Sequence, residues 1–248
     1  MPYLLVSSAT TLAAHTGLDA LESQDFPLVI GQPQVIALHP NGVMLTGRRF
    51  VGSILPPVLK RRHYLHLLTA AETPPDLLRC RQYIREGDCV LDLGANIGTY
   101  SKVLAEWAGP TGRVHAFEPI RETFGYLTAG IRKLGLRNVT CHNAAVSWHT
   151  GEGRMMIPDA NMYKAEISDR GSSVWLVRLD DLFAERISFI KCDVEGHELQ
   201  VIQGSEKLLR TWHPTWLMEV SRPDVTEVMR SYGYRATRLE HDWLFVPD

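Results

Sequence analysis

From residue 76 to the last residue, short apolar runs that stop at glycine or at charged residues alternate with stretches whose apolar residues recur at helical spacing. That alternation constrains the fold more than anything else in the chain, because strands separated by amphipathic helices build βαβ units and a mostly parallel sheet. Cys89-Val90-Leu91-Asp92-Leu93 is the first such run, and Ile97, Tyr100, Leu104 and Trp107 then share one helical face. Arg113–Phe117 predicts a second strand. Phe124, Leu127, Ile131 and Leu134 mark the next helix, which Gly135 stops. Asn138–Asn143, Ile187–Cys192 and Pro214–Val220 predict further strands. Helices are expected around His197–Gln203, after Ser205 and over Asp224–Ser231. Tyr234–Leu239 and Trp243–Val246, joined through Glu240-His241-Asp242, read as an antiparallel pair. The expected fold is a doubly wound α/β domain, with a mostly parallel seven-stranded sheet and a C-terminal antiparallel hairpin.

Residues 1–75 have no such regularity and read as an extension to the domain at 76–248. Gln34–Leu38 and Val43–Thr46 flank His39-Pro40-Asn41-Gly42, and Asn-Gly is a strong hairpin signal. His63–Ala71 has helical character and runs up to Pro74-Pro75. A formal net charge of -2 gives no basic footprint for nucleic acid. No run approaches the roughly 20 consecutive apolar residues of a membrane span, and Met1–Ala14 lacks the basic start of a signal peptide. The four cysteines share no CxxC spacing, which favours buried free thiols, no metal site and a reducing cytoplasm.

In open sheets of this type, ligands bind beyond the carboxyl ends of the strands. The first strand ends in Asp92-Leu93-Gly94-Ala95-Asn96-Ile97-Gly98. A dinucleotide fingerprint needs glycine at the first, third and sixth positions of its turn, and here those positions hold Gly94, Asn96 and Thr99. Asp92 would repel a phosphate and attract an ammonium group. The pair fits S-adenosylmethionine, which is cationic and has no phosphate, better than a nicotinamide dinucleotide. The second strand ends in Glu118-Pro119, where a carboxylate can accept hydrogen bonds from both hydroxyls of a ribose, and Pro119 keeps Glu118 extended. The third ends in Asn143-Ala144, with an amide for an adenine edge and a small residue that leaves room for the ring. The fourth ends in the densest polar cluster of the chain, Asp193-Val194-Glu195-Gly196-His197-Glu198. Glu219 ends the fifth.

Together, Val90–Gly98, Phe117-Glu118-Pro119 and Ile190–Glu198 resemble the FkbM family of methyltransferases, in order and in spacing, over roughly residues 76–248. The glycine turn is general to class I methyltransferases, whereas Asp193-Val194-Glu195-Gly196-His197-Glu198 is far more specific to this family. The resemblance implies the class I methyltransferase fold and methyl transfer from S-adenosylmethionine, usually to a hydroxyl of a natural product or sugar. It implies that Asp92, Gly94 and Gly98 line the methionine part of the cofactor, that Glu118 holds the ribose, and that Asp193 lies near the methyl group. The N-terminal extension would shape the acceptor pocket or a homodimer contact.

For the proton that leaves the acceptor, His197 is the first candidate base, and Asp193 and Glu195 the second. A Mg²⁺-assisted variant would draw on Asp193, Glu195, Glu198 and Glu219, but carboxylates at a strand end do not define a coordination shell. The expected partner is a small-molecule acceptor, with neither nucleic acid nor a membrane. The rival readings are a nicotinamide-dependent oxidoreductase or epimerase of the same fold, and a non-catalytic cofactor-binding module.

Overall fold

The computed structural model describes residues 57–156 and 166–248, together with three short strands at 29–31, 35–37 and 44–46. The chain divides into two compact units, Met1–His63 and Tyr64–Asp248.

In the first unit, β1 (Val29–Gly31), β2 (Val35–Ala37) and β3 (Met44–Thr46) form an antiparallel sheet in that order. Val35 pairs with Thr46 and Ala37 with Met44, so the expected hairpin pairing is present. Its Asn41-Gly42 turn lies outside the described residues.

In the second unit, a seven-stranded sheet runs β13-β14-β12-β11-β4-β5-β6. Its strands are β4 (Cys89–Leu93), β5 (Arg113–Phe117), β6 (Val139–His142), β11 (Phe189–Cys192), β12 (Thr215–Met218), β13 (Tyr234–Arg238) and β14 (Trp243–Pro247). The last two form the expected antiparallel hairpin, and β14 also pairs antiparallel with β12. The other neighbours are parallel. The chain steps outward from β4 to β5 and β6, then crosses to the other side of β4 at β11. This switch of direction opens a crevice above the ends of β4 and β11.

Every residue of β4 is buried, because helices cover both faces. On one face Leu91, Leu93, Ile190, Trp216 and Phe245 pack with Val201, Leu209 and Met229. On the other, Val90, Val114, Phe189 and Leu217 pack with Val103 and Leu104. Those side chains come from α3 (Thr99–Ala108), α6 (Glu198–Gln203), α7 (Glu206–Trp212) and α8 (Asp224–Ser231). Helix α4 (Arg121–Lys133) places Leu127 and Ile131 against Ala95 and Ala116. Tyr64 and Leu68, from the last turns of α1 (Pro57–Ala70), pack on Ile97.

A second sheet was not anticipated. It has the order β7-β10-β8-β9, built from β7 (Ala145–Val146), β8 (Gly151–Met156), β9 (Glu166–Ile167) and β10 (Ser172–Val177). Glycines and charges hide β8 in the sequence: Gly151-Glu152-Gly153-Arg154 carries no hydrophobic period. Gly153 is required by packing, since a Cβ there would lie 2.7 Å from the Leu176 side chain. The legible signal was Val174-Trp175-Leu176-Val177, a β-branched and aromatic run.

Asp76, in α2 (Pro75–Arg79), ties the C-terminal hairpin to the body of the unit. Its carboxylate accepts the backbone N–H groups of Glu240 (3.2 Å), His241 (2.7 Å) and Asp242 (3.0 Å). Burial opposes its charge, but these three donors hold its pKa below the ordinary carboxylate value. Asp76→Ala strands the three donors and is expected to cost about 2 kcal/mol. Denaturant unfolding would read this as a lowered midpoint at unchanged slope. Because the pKa is depressed, the stabilisation is present above the ordinary value of 3.8 and fades as pH falls through the folded one. Among the described residues, no helix is long and apolar enough to cross a membrane.

Candidate active site

The turn after β4 is shaped by two close approaches. Gly94 has φ +78, and a Cβ on it would stand 1.8 Å from the Asp193 carbonyl oxygen. The end of β4 and the end of β11 therefore touch backbone to backbone, joined by Asp193 N–H donating to Leu93 O at 2.9 Å. Only glycine fits there. Asn96 follows in the left-handed region, φ 50, and aims its N–H at Glu118 Oε2, 3.0 Å away. Ile120 N–H donates to the other oxygen, Oε1, at 2.8 Å. Both oxygens of Glu118 are thus fixed by backbone, and each keeps a lone pair. The residue is 5% exposed. Burial, outweighing those two bonds, pushes its carboxyl up to about 7.

An open cleft of about 690 Å³ lies over this turn. Gly94, Asn96, Glu118 and Pro119 line one part of it, and Asp193, Val194, Glu195 and His197 another. Ile120, Ala144, Ala145, Met155 and Ile167 form an apolar end, with Ala145, Met155 and Ile167 contributed by the unanticipated sheet. Among the described residues that line it, three are carboxylates and none is Lys or Arg.

Three expected residues, Asp92, Gly98 and Asn143, are not among those that line the cleft. Asp92 is 1% exposed and accepts Ser101 Oγ at 2.5 Å. Burial raises its pKa to about 6, so it charges the floor from below. Gly98 opens α3 with φ +98, and a Cβ there would meet Leu127 at 2.8 Å, so packing against α4 explains it. Asn143 gives its amide to Glu118 O (2.9 Å) and Pro119 O (3.0 Å), bracing the strand end that carries the carboxylate.

The polar cluster after β11 has several tasks. Glu198 is buried and holds the turn together, accepting Gly196 N–H and Ser221 Oγ, both at 2.8 Å. Its carboxylate is thereby withdrawn from any Mg²⁺ set. Glu195 (φ 50) and Gly196 (φ 91) make consecutive left-handed steps, a strain that persists only where surrounding structure over-determines it. His197 precedes α6, and its Nε2 lies 2.9 Å from Ser147 Oγ. Burial, then the nearby His149, lowers its pKa to about 4, which leaves a neutral but weak base. Glu219 is pushed up to about 7 by burial and by the charge and hydrogen bond of Asp193.

Lys191 is enclosed in the sheet rather than exposed at its edge. It lies on β11, one of the innermost strands, paired in register with Asp92 and 1% exposed. Its ammonium sits 3.6 Å from Asp193, 3.5 Å from Asp242 and 4.8 Å from the centre of the Tyr100 ring. Burial works against its charge, but Asp193 and Asp242 raise its pKa above the ordinary value. Asp242, Tyr100 and Ser101 were also missed. A lysine within an otherwise apolar run was the available clue, since an unpaired one would not be tolerated there.

A seven-stranded Rossmann-like sheet with a carboxylate-lined cleft at its switch point defines the class: the fold is that of class I methyltransferases. The family model of the methyltransferase FkbM domain matches residues 92–236. The 31-O-demethyl-FK506 methyltransferase FkbM of Streptomyces tacrolimicus is 30% identical over 205 residues, 66% of this chain and 78% of that one. Methyltransferase sdnD of Sordaria araneosa is 24% identical over 207 residues, 64% and 77% of the two chains. Among solved structures, methyltransferase FkbM from Methylobacillus flagellatus KT shares the fold with a TM-score of 0.51 at 16% identity. That match covers 76% of this chain but only 59% of the other. This chain belongs to the FkbM methyltransferase family.

Proposed function

We propose that the protein transfers the methyl group of S-adenosylmethionine to a hydroxyl of a small-molecule acceptor. The observation that carries this reading is the cleft wall, which among the described residues has three carboxylates and neither Lys nor Arg. Such a wall suits a cationic, phosphate-free nucleoside and disfavours a pyrophosphate, which speaks against a nicotinamide dinucleotide. The residues fit the group. Glu118 has a free lone pair on each oxygen for the ribose hydroxyls. The bare backbone at Gly94 admits close approach, and Asp193 faces the cationic amino-acid part. Ala144, Met155 and Ile167 offer the apolar end to the adenine ring.

When bound, the cofactor supplies a methyl carbon already activated by the sulfonium charge. The protein's part is to hold the acceptor oxygen in line, at about 3–3.5 Å, and to take its proton. We place proton acceptance at the Asp193–Glu219 pair, because a base works best when its pKa is near the working pH and Glu219 sits at about 7. His197, at about 4, is too weakly basic for that task and instead positions the acceptor from beside Ser147.

Turnover of a hydroxylated acceptor panel with labelled S-adenosylmethionine tests this. Glu219→Gln is expected to lower kcat about tenfold, because Asp193 remains to accept the proton. The wild-type rate is expected to climb through pH 7 as Glu219 ionises. His197→Ala is expected to change KM more than kcat. A wild-type level of turnover in Glu219→Gln, with a loss of a hundredfold or more in His197→Ala, would return the base to the histidine.

A further inference from the structure

At the opposite end of the sheet from the cleft, three side chains of different chemistry converge. Cys89 opens β4, His115 stands on the neighbouring β5, and Glu185 lies in the connection that precedes β11. The parallel register sets Leu91 beside His115, and residues two apart on a strand share a face, so Cys89 and His115 point the same way. One potential ligand atom from each of the three residues lies within 4.8 Å of the other two. Five strand residues, roughly 17 Å, separate Cys89 from Gly94, so this is not part of the cleft.

Several features mark the group as more than a chance meeting. His115 Nδ1 lies 3.0 Å from His142 Nε2, and its other nitrogen, Nε2, is buried with no hydrogen-bond partner. With the proton on Nδ1 and donated to His142, the Nε2 lone pair is available. This is the arrangement that orients a metal-binding histidine, whose second nitrogen donates to a fixed acceptor. The Glu185 connection is pinned to Cys89, whose carbonyl accepts both Ser188 N–H (3.0 Å) and Ser188 Oγ (3.2 Å). A cation already sits beside the group, since the Arg113 guanidinium contacts the Glu185 carboxylate.

We propose that Cys89, His115 and Glu185 form a zinc-class divalent metal site, with water as fourth ligand and Arg113 swung outward. A sulfur, an imidazole and a carboxylate are a borderline-soft set that suits tetrahedral Zn²⁺. Bond lengths of 2.0–2.3 Å put tetrahedral ligand atoms about 3.5 Å apart, so the group must contract by about 1 Å. Glu185, at 42% exposure, and Arg113, at 58%, are free to make that adjustment. On binding, the Cys89 thiol gives its proton to solvent and its sulfur lone pair to the metal. Burial, Glu185 and Asp88 all hold that proton on, while Arg113 favours its loss. The bound ion would staple the connection before β11 to β4 and β5.

The test is a titration of the full chain with Co²⁺, read by the thiolate-to-cobalt charge-transfer band, followed by displacement with Zn²⁺. One equivalent is expected. Cys89→Ser abolishes the band. Glu185→Gln, at an exposed position that does not threaten folding, weakens binding about tenfold. Arg113→Met tightens binding by removing a competing cation, and Cys141→Ser leaves it unchanged. No thiolate band, a band that survives Cys89→Ser, or equal affinity in wild type and Glu185→Gln overturns the proposal. None of these readouts involves methyl transfer, so the assignment of the cleft stands or falls separately.

Discussion

Glu118→Ala is expected to raise the Kd for S-adenosylhomocysteine by 10²- to 10³-fold in isothermal titration while leaving the fold intact. The carboxylate faces the cleft with both oxygens held by the backbone of Asn96 and Ile120. Two hydroxyl donors on a nucleoside would therefore meet a pre-aligned acceptor. Each charge-assisted bond contributes about 1.5–3 kcal/mol, and about 3–4 kcal/mol in all corresponds to the stated loss. The pH dependence separates this explanation from simple loss of packing. Burial raises the Glu118 carboxyl to about 7, above the ordinary 4.5, so the free protein prefers it protonated in that interval. A ligand that donates hydrogen bonds to the carboxylate favours the ionised form. Affinity should therefore weaken as pH drops below 7, approaching tenfold per unit, with protons released on binding. Glu118→Gln should bind weakly and show no such slope. An unchanged Kd in the alanine variant, with thermal melting equal to wild type, would remove Glu118 from the ribose and with it the main support for the cofactor assignment.

Lys191→Met is expected to be the most destabilising single change in the second unit, at about 3–5 kcal/mol. Methionine fills the space of the aliphatic stem, but Asp242 then loses its ion pair while buried, and Asp193 loses its own at the cleft. Asp92, beside Lys191 in the register, also loses a favourable charge. For a unit of this size the cost corresponds to about 10 °C in melting temperature. The Lys191 pKa is raised above the ordinary 10.5, so its stabilisation is fully present at all pH values below that and fades only in strong alkali. The damage in the variant should shrink as pH falls, because burial already raises the Asp242 carboxyl above its ordinary value and lets it take up a proton. Lys191→Met combined with Asp242→Asn should recover part of the loss, because neutralising the partner removes a stranded charge. A melting temperature within two or three degrees of wild type in the single variant would refute this account of the buried pair.

The chain itself determined the parallel core, because its evidence is local. An apolar run has to be buried, a glycine in a left-handed turn has no substitute, and the helical spacing of Ile97, Tyr100, Leu104 and Trp107, or of Phe124, Leu127, Ile131 and Leu134, needs no partner to be recognised. For the same reason the turn at Gly94 and the carboxylate at Glu118 were legible as positions at the strand ends, where the cleft lies. The second sheet was not, because Gly151-Glu152-Gly153-Arg154 carries no period and takes its order from Leu176 on the strand beside it. Only the tertiary structure decided which polar groups face the cleft and which support it. Asp92 and Lys191 are remote in the chain and become neighbours when β4 pairs with β11. Asn143 gives its amide to the backbone carbonyls of Glu118 and Pro119, and Glu198 closes its own turn. A hydrogen bond or ion pair between distant segments leaves no periodic trace in the sequence, since its partners are chosen by strand order and register rather than by spacing along the chain.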